Sequence, residues 1–136
     1  MCGITGHINF NHNKILSKGT LKSMIQKMDH RGPDNSGFFI DDNVQFGMTR
    51  LSIIDEDTGN QPIISDDGNL ILIMNGEIYN YKSLKLDLEK DGYNFRTKSD
   101  TEVLMNLYKK YDYDCIRHVK GMFAFCLYDR SKNVVW

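Results

Sequence analysis

This chain has no CxxC pair, no apolar run long enough to span a bilayer and no excess of either charge. Its three cysteines, at positions 2, 115 and 126, are an odd number without paired spacing, which argues against a disulfide framework and a zinc knuckle. The longest apolar stretches resemble Leu70 to Met74 in length, where a membrane-spanning helix needs about 20 residues. Seventeen basic and eighteen acidic residues, mixed along the chain, leave a formal net charge of -1. That provides neither a nucleic-acid footprint nor a basic membrane patch. Met1 is followed by Cys-Gly-Ile-Thr-Gly-His rather than the basic start and apolar core of a signal peptide, so a cytoplasmic location is expected. His7, His12, His30 and His118 show no spacing for a metal site or a Cys–His pair, and no metal ligands are assigned.

Apolar residues make up 40% and charged residues 26% of the 136, which is ordinary for one globular domain. Cys2 to Asn9 reads as a buried strand and Asn11 to Asn13 as turn material. From Ser17 to His30, the positions Leu21, Met24, Ile25 and Met28 follow a helical period, which Pro33 in the run RGPD interrupts. Strands are expected at Gly37–Ile40 and Val44–Ile54, a loop over Glu56–Gly68, and a strand buried on both faces at Asn69–Met74 that Asn75-Gly76 ends. Helices follow at Tyr81–Lys90, closed by Asp91-Gly92, and after Ser99 or Asp100 as cap, with Val103, Leu104, Leu107 and Tyr108 on the apolar face. Gly121–Tyr128 and Val134–Trp136 read as strands joined by a turn. Strands at both ends with helices between define an α+β layered domain. The return strand of that last hairpin is expected to be cut short at Trp136.

Cys115 and Cys126 sit in apolar surroundings and read as inert core thiols. Cys2 differs because removal of Met1 would place a thiol and a free α-amine on one residue. An α-amine with a pKa of roughly 7.7–8.0 is partly unprotonated near neutrality. It can take the thiol proton directly or through one water, making a nucleophile without a histidine. With Met1 attached, that nitrogen is an amide and cannot act as base. Read alone, a cysteine at position 2 is more simply a small buried residue.

The strings MCGITG at the start, RGPD at Arg31, RLSIID at Arg50, NGEIYN at Asn75, SDTEV at Ser99 and GMFAF at Gly121 occur in that order across nearly the whole chain. Together they resemble the class II (N-terminal-nucleophile) glutamine amidotransferases, and among these the glutaminase domain of glutamine-dependent asparagine synthetases. The resemblance implies an αββα four-layer sandwich over residues 1–136, incomplete at the C-terminus. It implies hydrolysis of glutamine by Cys2, with the ammonia used for asparagine synthesis.

In the resemblance, Arg50 holds the glutamine carboxylate, for which a planar guanidinium is suited. Asp100, with Glu77 assisting, holds the ammonium. The backbone of Leu51, Ser52, Ile53 and Ile54 lines the pocket, with Ile53 and Ile54 partly in the core. Asn75 and Gly76 provide the oxyanion hole. Read without it, Arg50 is a surface ion pair, Asp100 a helix cap and Asn75-Gly76 a tight turn. Arg31 and Asp34 either brace the site wall or pair locally, and a structural role is expected.

Where asparagine synthetases carry a basic or histidine-rich approach to RLSI, this chain has Gly47-Met48-Thr49, a change expected to bear on the pocket wall. The resemblance also implies a following synthetase domain that uses ATP and magnesium, no cofactor in this segment, and a homodimer of the full-length enzyme. Missing strands are expected to leave apolar faces uncovered. Two alternatives stay open: an amidotransferase of surface-polysaccharide sugars, and a non-catalytic remnant. A thiol-redox protein would need a resolving cysteine beside Cys2.

Overall fold

The computed structural model describes residues 2–9, 16–55 and 57–136. The expected turn at Asn11–Asn13, together with Met1, His12 and Glu56, lies outside them.

The first sheet is built around β3 (Val44–Arg50), flanked antiparallel by β1 (Gly3–Ile8) and β2 (Asn35–Ile40). Every residue of β3 is buried, and its two faces meet different layers. Val44, Phe46 and Met48 join Ile71, Ile73 and Tyr128 of the second sheet in one core. On the opposite face, Gln45 Nε2 donates to Leu16 O at 2.9 Å and Thr49 Oγ1 to Met28 O at 3.1 Å, around the helix α1 (Lys18–Gln26). Gly47 lies between them, and a Cβ there would come 2.6 Å from Ile25 Cγ1. Helix and sheet can approach this closely because the side chain is absent.

The second sheet has the order β4 (Ile63–Ile64), β5 (Leu70–Ile78), β6 (Gly121–Asp129), β7 (Val134–Val135), again antiparallel. Ile71 and Ile73 of β5 face the first sheet, while Leu70, Leu72 and Met74 face α2 (Tyr81–Lys90) and α3 (Asp100–Tyr111). This double burial accounts for the continuous apolar run. The layers are thus α1, sheet, sheet, then α2 with α3: an αββα sandwich, as expected from the sequence. Among the described residues, no helix is long and apolar enough to cross a membrane.

Several boundaries differ from the periodicity. α1 stops at Gln26 because Met28 and Arg31 bond back three residues, to Ile25 O and Met28 O, and tighten the chain into turns. β3 ends at Arg50, whose guanidinium draws the following residues into a loop around it. The short strand β4 falls inside the stretch expected to be loop, and a 3-10 helix at Asp112–Arg117 follows α3. β5 does not end at Asn75-Gly76. It continues to Ile78, pairing Gly76 with Phe123 and Glu77 with Met122. Gly76 takes φ +134°, open to a residue without a side chain, and stays paired in the sheet.

Ser99 caps α3, its Oγ accepting the Thr101 N–H at 3.0 Å. That leaves the Asp100 carboxylate for other work. Glu102 reaches further back, accepting from Arg96 N at 3.0 Å and Thr97 N at 2.7 Å, and so orders the approach to the helix. On the far side of the sheet, β7 pairs only with the end of β6, and Met122 stays 63% exposed.

Candidate active site

Chain segments distant in sequence converge beside α3, and the proposed site residues come from four of them. They are the start of β1, the end of β3 with the loop after it, the Asn75–Glu77 stretch of β5 and the first turn of α3. Between them lies a pocket of about 180 Å³, smaller than the roughly 300–1,000 Å³ typical of drug-sized ligand sites.

Cys2 opens onto it. Gly3 pairs with Thr49, which brings Cys2 alongside Arg50 and Leu51. Its Sγ receives the Leu51 N–H at 3.4 Å and lies 3.6 Å from Leu51 O. Arg31 Nε donates to Cys2 O at 3.0 Å. Asp34 accepts the Ser52 N–H at 2.8 Å and donates its own N–H to Arg50 O at 3.0 Å. The RGPD run therefore does not close on itself. Arg31 braces the backbone of the cysteine, and Asp34 braces the strand end opposite.

Arg50 is 4% exposed and lines the pocket. Its Nη1 donates to Asn60 Oδ1 at 3.0 Å, and its Nη2 to Ile54 O at 2.9 Å and Asp55 O at 2.6 Å. This is a buried cation, held by side-chain and backbone carbonyl oxygens rather than lying at the surface. Asn75 Oδ1 is buried with no hydrogen-bond partner among the described residues, an omission that costs about 1–3 kcal/mol unless the pocket supplies a donor.

Asp100 is 4% exposed, and its Oδ2 accepts the Ile78 N–H at 2.9 Å. Burial pushes its carboxyl above the usual range, against the pull of N–H groups from Ile78, Thr101 and its own backbone; the Glu77 charge adds to the rise. Burial likewise pushes the Cys115 thiol up to about 11 and raises that of Cys126, which fits unreactive thiols. Among the described residues, no three His, Cys, Asp or Glu side chains gather as metal ligands.

Cys2, Arg50, Leu51, Ile53, Ile54, Asn75, Gly76, Glu77 and Asp100 all line the pocket. Ser52 does not, because its backbone turns to Asp34. Ile53 is 61% exposed rather than part of the core, because the loop carries it to the pocket rim. Gly47-Met48-Thr49 pack in the core and under α1 and do not form the pocket wall. Sequence reading missed Gln61, Tyr79, Thr101 and Met122 as lining residues. Gln61 lies in an irregular segment where no period marks a residue, and Tyr79 and Met122 are exposed, where aromatic and apolar residues suggest core.

Two facing sheets between helix layers, with a cysteine at the mouth of the first strand, form the architecture of the N-terminal-nucleophile class. The chain belongs to the glutamine amidotransferase domain family, whose model matches residues 1–136. It is 41% identical over 140 residues to asparagine synthetase (glutamine-hydrolyzing) 1 of Bacillus subtilis, covering 100% of this chain and 22% of that protein. It is 37% identical over 133 residues to asparagine synthetase B (glutamine-hydrolyzing) of Escherichia coli, covering 98% and 24%. Among solved structures it resembles the glutamine phosphoribosylpyrophosphate (PRPP) amidotransferase from B. subtilis, with 30% identity and a TM-score of 0.54 over 65% of this chain and 21% of that one. The chain thus spans less than a quarter of the length of these relatives.

Proposed function

We propose that this domain hydrolyses the side-chain amide of glutamine, with Cys2 as nucleophile once it is the N-terminal residue. The observation that carries the reading is the convergence of Cys2, Arg50, Asn75, Gly76 and Asp100, distant in sequence, on one small pocket. Arg50 takes the substrate carboxylate, and Asp100 with Glu77 takes the ammonium. That leaves the amide directed towards Cys2.

The thiol proton passes to the α-amine, and Sγ attacks the amide carbon. The charge that develops on oxygen falls to Asn75 Nδ2 and Gly76 N–H. The α-ammonium returns the proton to the departing nitrogen, the C–N bond breaks, and ammonia leaves a thioester on Sγ. Water then cleaves the thioester to give glutamate and the free thiol. Asn75→Ala is expected to lower kcat by roughly 100- to 1,000-fold with little change in KM. Steady-state ammonia release checks this, and a purely KM effect would remove Asn75 from the oxyanion role.

Asp100 adds a pH signature. Its carboxylate form binds ammonium, so KM for glutamine should climb as pH falls through the raised Asp100 pKa, above the ~3.9 of a free aspartate. A carboxyl whose folded pKa is raised stabilises the fold in acid, and that contribution is lost as pH rises through the folded value. Asp100→Asn, which keeps an acceptor for Ile78 N–H, should therefore melt no lower than the parent at pH 7. Its KM should rise by about 10- to 100-fold. A lower melting temperature with unchanged KM would assign Asp100 to the fold alone.

The ammonia serves ATP-dependent asparagine synthesis in this reading, supported by the likeness to the glutamine-hydrolyzing asparagine synthetases of B. subtilis and E. coli. ATP and magnesium belong with a synthetase domain, and the segment itself uses no cofactor. Three unpaired cysteines suit a cytoplasmic location.

A further inference from the structure

The segment Gly59-Asn60-Gln61 takes no part in the steps above, yet it is bonded to Arg50 and to the residues beside Asn75 and Asp100. β4 pairs β5 at Ile71 and Leu72, and beyond Leu72 that edge of β5 has no strand beside it among the described residues. Gln61 fills the gap. Its Oε1 accepts the Met74 N–H at 2.6 Å, and its Nε2 donates to Thr101 Oγ1 at 3.2 Å. Met74 directly precedes Asn75, and Thr101 directly follows Asp100. One side chain therefore spans from the strand of the oxyanion donors to the helix turn of the ammonium acceptor.

The preceding residues serve the third group. Asn60 Oδ1 accepts from Arg50 Nη1 at 3.0 Å and from Asn35 Nδ2 at 2.8 Å. Gly59 N–H donates at 3.1 Å to Asp55 O, the carbonyl that also receives Arg50 Nη2.

We propose that Gly59-Asn60-Gln61 is a positioning segment that sets Arg50, Asn75 and Asp100 at the spacing of glutamine's three handles, with Gln61 as its principal positioning residue. This rests on the glutaminase reading. A primary amide suits the task because one end accepts from a strand N–H and the other donates to a hydroxyl. Glutamate retains only the accepting half, and methionine fills the space with neither. A displacement of about 1 Å at a reacting centre can cost on the order of 100-fold in rate.

The test compares glutamine hydrolysis in the parent chain with a free Cys2 amine, Gln61→Met, Gln61→Glu and Thr101→Val. The rate of Cys2 alkylation by iodoacetamide, a reagent too small to need the three handles, is measured alongside. Gln61→Met is expected to lose about 100-fold in kcat/KM, shared between kcat and KM, at the parent's alkylation rate. Thr101→Val loses only the helix tie, so KM rises by about 2- to 10-fold with kcat retained. Gln61→Glu, which keeps the Met74 tie, recovers kcat while KM stays high.

Parent-like kcat/KM in Gln61→Met would overturn the positioning role. So would losses in Gln61→Glu that follow the melting temperature and the alkylation rate, as a merely structural tie would give. A parent that leaves glutamine intact would sink the glutaminase reading and this proposal with it. A parent that hydrolyses glutamine beside an indifferent Gln61 variant overturns the positioning role alone.

Discussion

Cys2→Ala is expected to abolish glutamine hydrolysis, by at least about 10⁴-fold, in a chain that still folds. The sulfur's polar contacts are long ones to Leu51, 3.4 Å and 3.6 Å, so their loss should cost no more than about 1 kcal/mol. The backbone contact that matters locally, Arg31 Nε to Cys2 O, does not involve the side chain. Ammonia release and a thermal melt measured together separate the two effects. Retaining Met1 should have the same kinetic consequence with the thiol in place, because an amide nitrogen cannot accept the proton. Neither Cys115 nor Cys126 lines this pocket, and burial raises both thiols. Hydrolysis near the parent's rate in Cys2→Ala would place the nucleophile elsewhere.

Gly76→Ala is expected to produce the largest loss of stability, more than about 4 kcal/mol, a size that few single substitutions reach. Two penalties coincide there. The residue sits at φ +134°, where a side chain is strained, and a Cβ would overlap the Met122 carbonyl oxygen and lie 2.5 Å from Phe123 Cα. The obstacle is the backbone of the paired strand β6, which cannot rotate aside as a side chain could. Gly68→Ala provides the control, because Gly68 also has positive φ, +71°, but nothing within 4 Å. It should cost only about 1 kcal/mol. Denaturant melts of the two variants should therefore differ by several kcal/mol, about half or more of the stability of a small domain. Equal melts would mean that Gly76 is tolerant and that sterics do not enforce its positive φ.

The sequence and the structure agree most where a residue's surroundings are local. Ser99, one of the two caps expected for it, caps α3, and the apolar face of that helix is the one its period marks. The run Leu70–Met74, apolar without alternation, is the strand sandwiched between a sheet and two helices. Agreement fails where a distant partner decides. Asn75-Gly76 has the composition of a turn, but pairing with β6 carries the strand through it. Ile53 is apolar, but the loop drawn around Arg50 holds it at the rim. Gln61 lies in an irregular polar stretch, and its importance rests on two bonds to residues 13 and 40 positions away. The candidate site was legible through short ordered motifs rather than through periodicity. Those motifs name the groups that face the pocket and are silent on what holds them apart.

The most direct test of a glutamine-handling Cys2 is intact mass spectrometry of the folded chain, with a free Cys2 amine, after exposure to 6-diazo-5-oxo-norleucine. One stoichiometric adduct is expected, mapped to Cys2 and prevented by excess glutamine. A folded, processed chain that takes up no adduct, or takes one up at Cys2 regardless of glutamine, would contradict it.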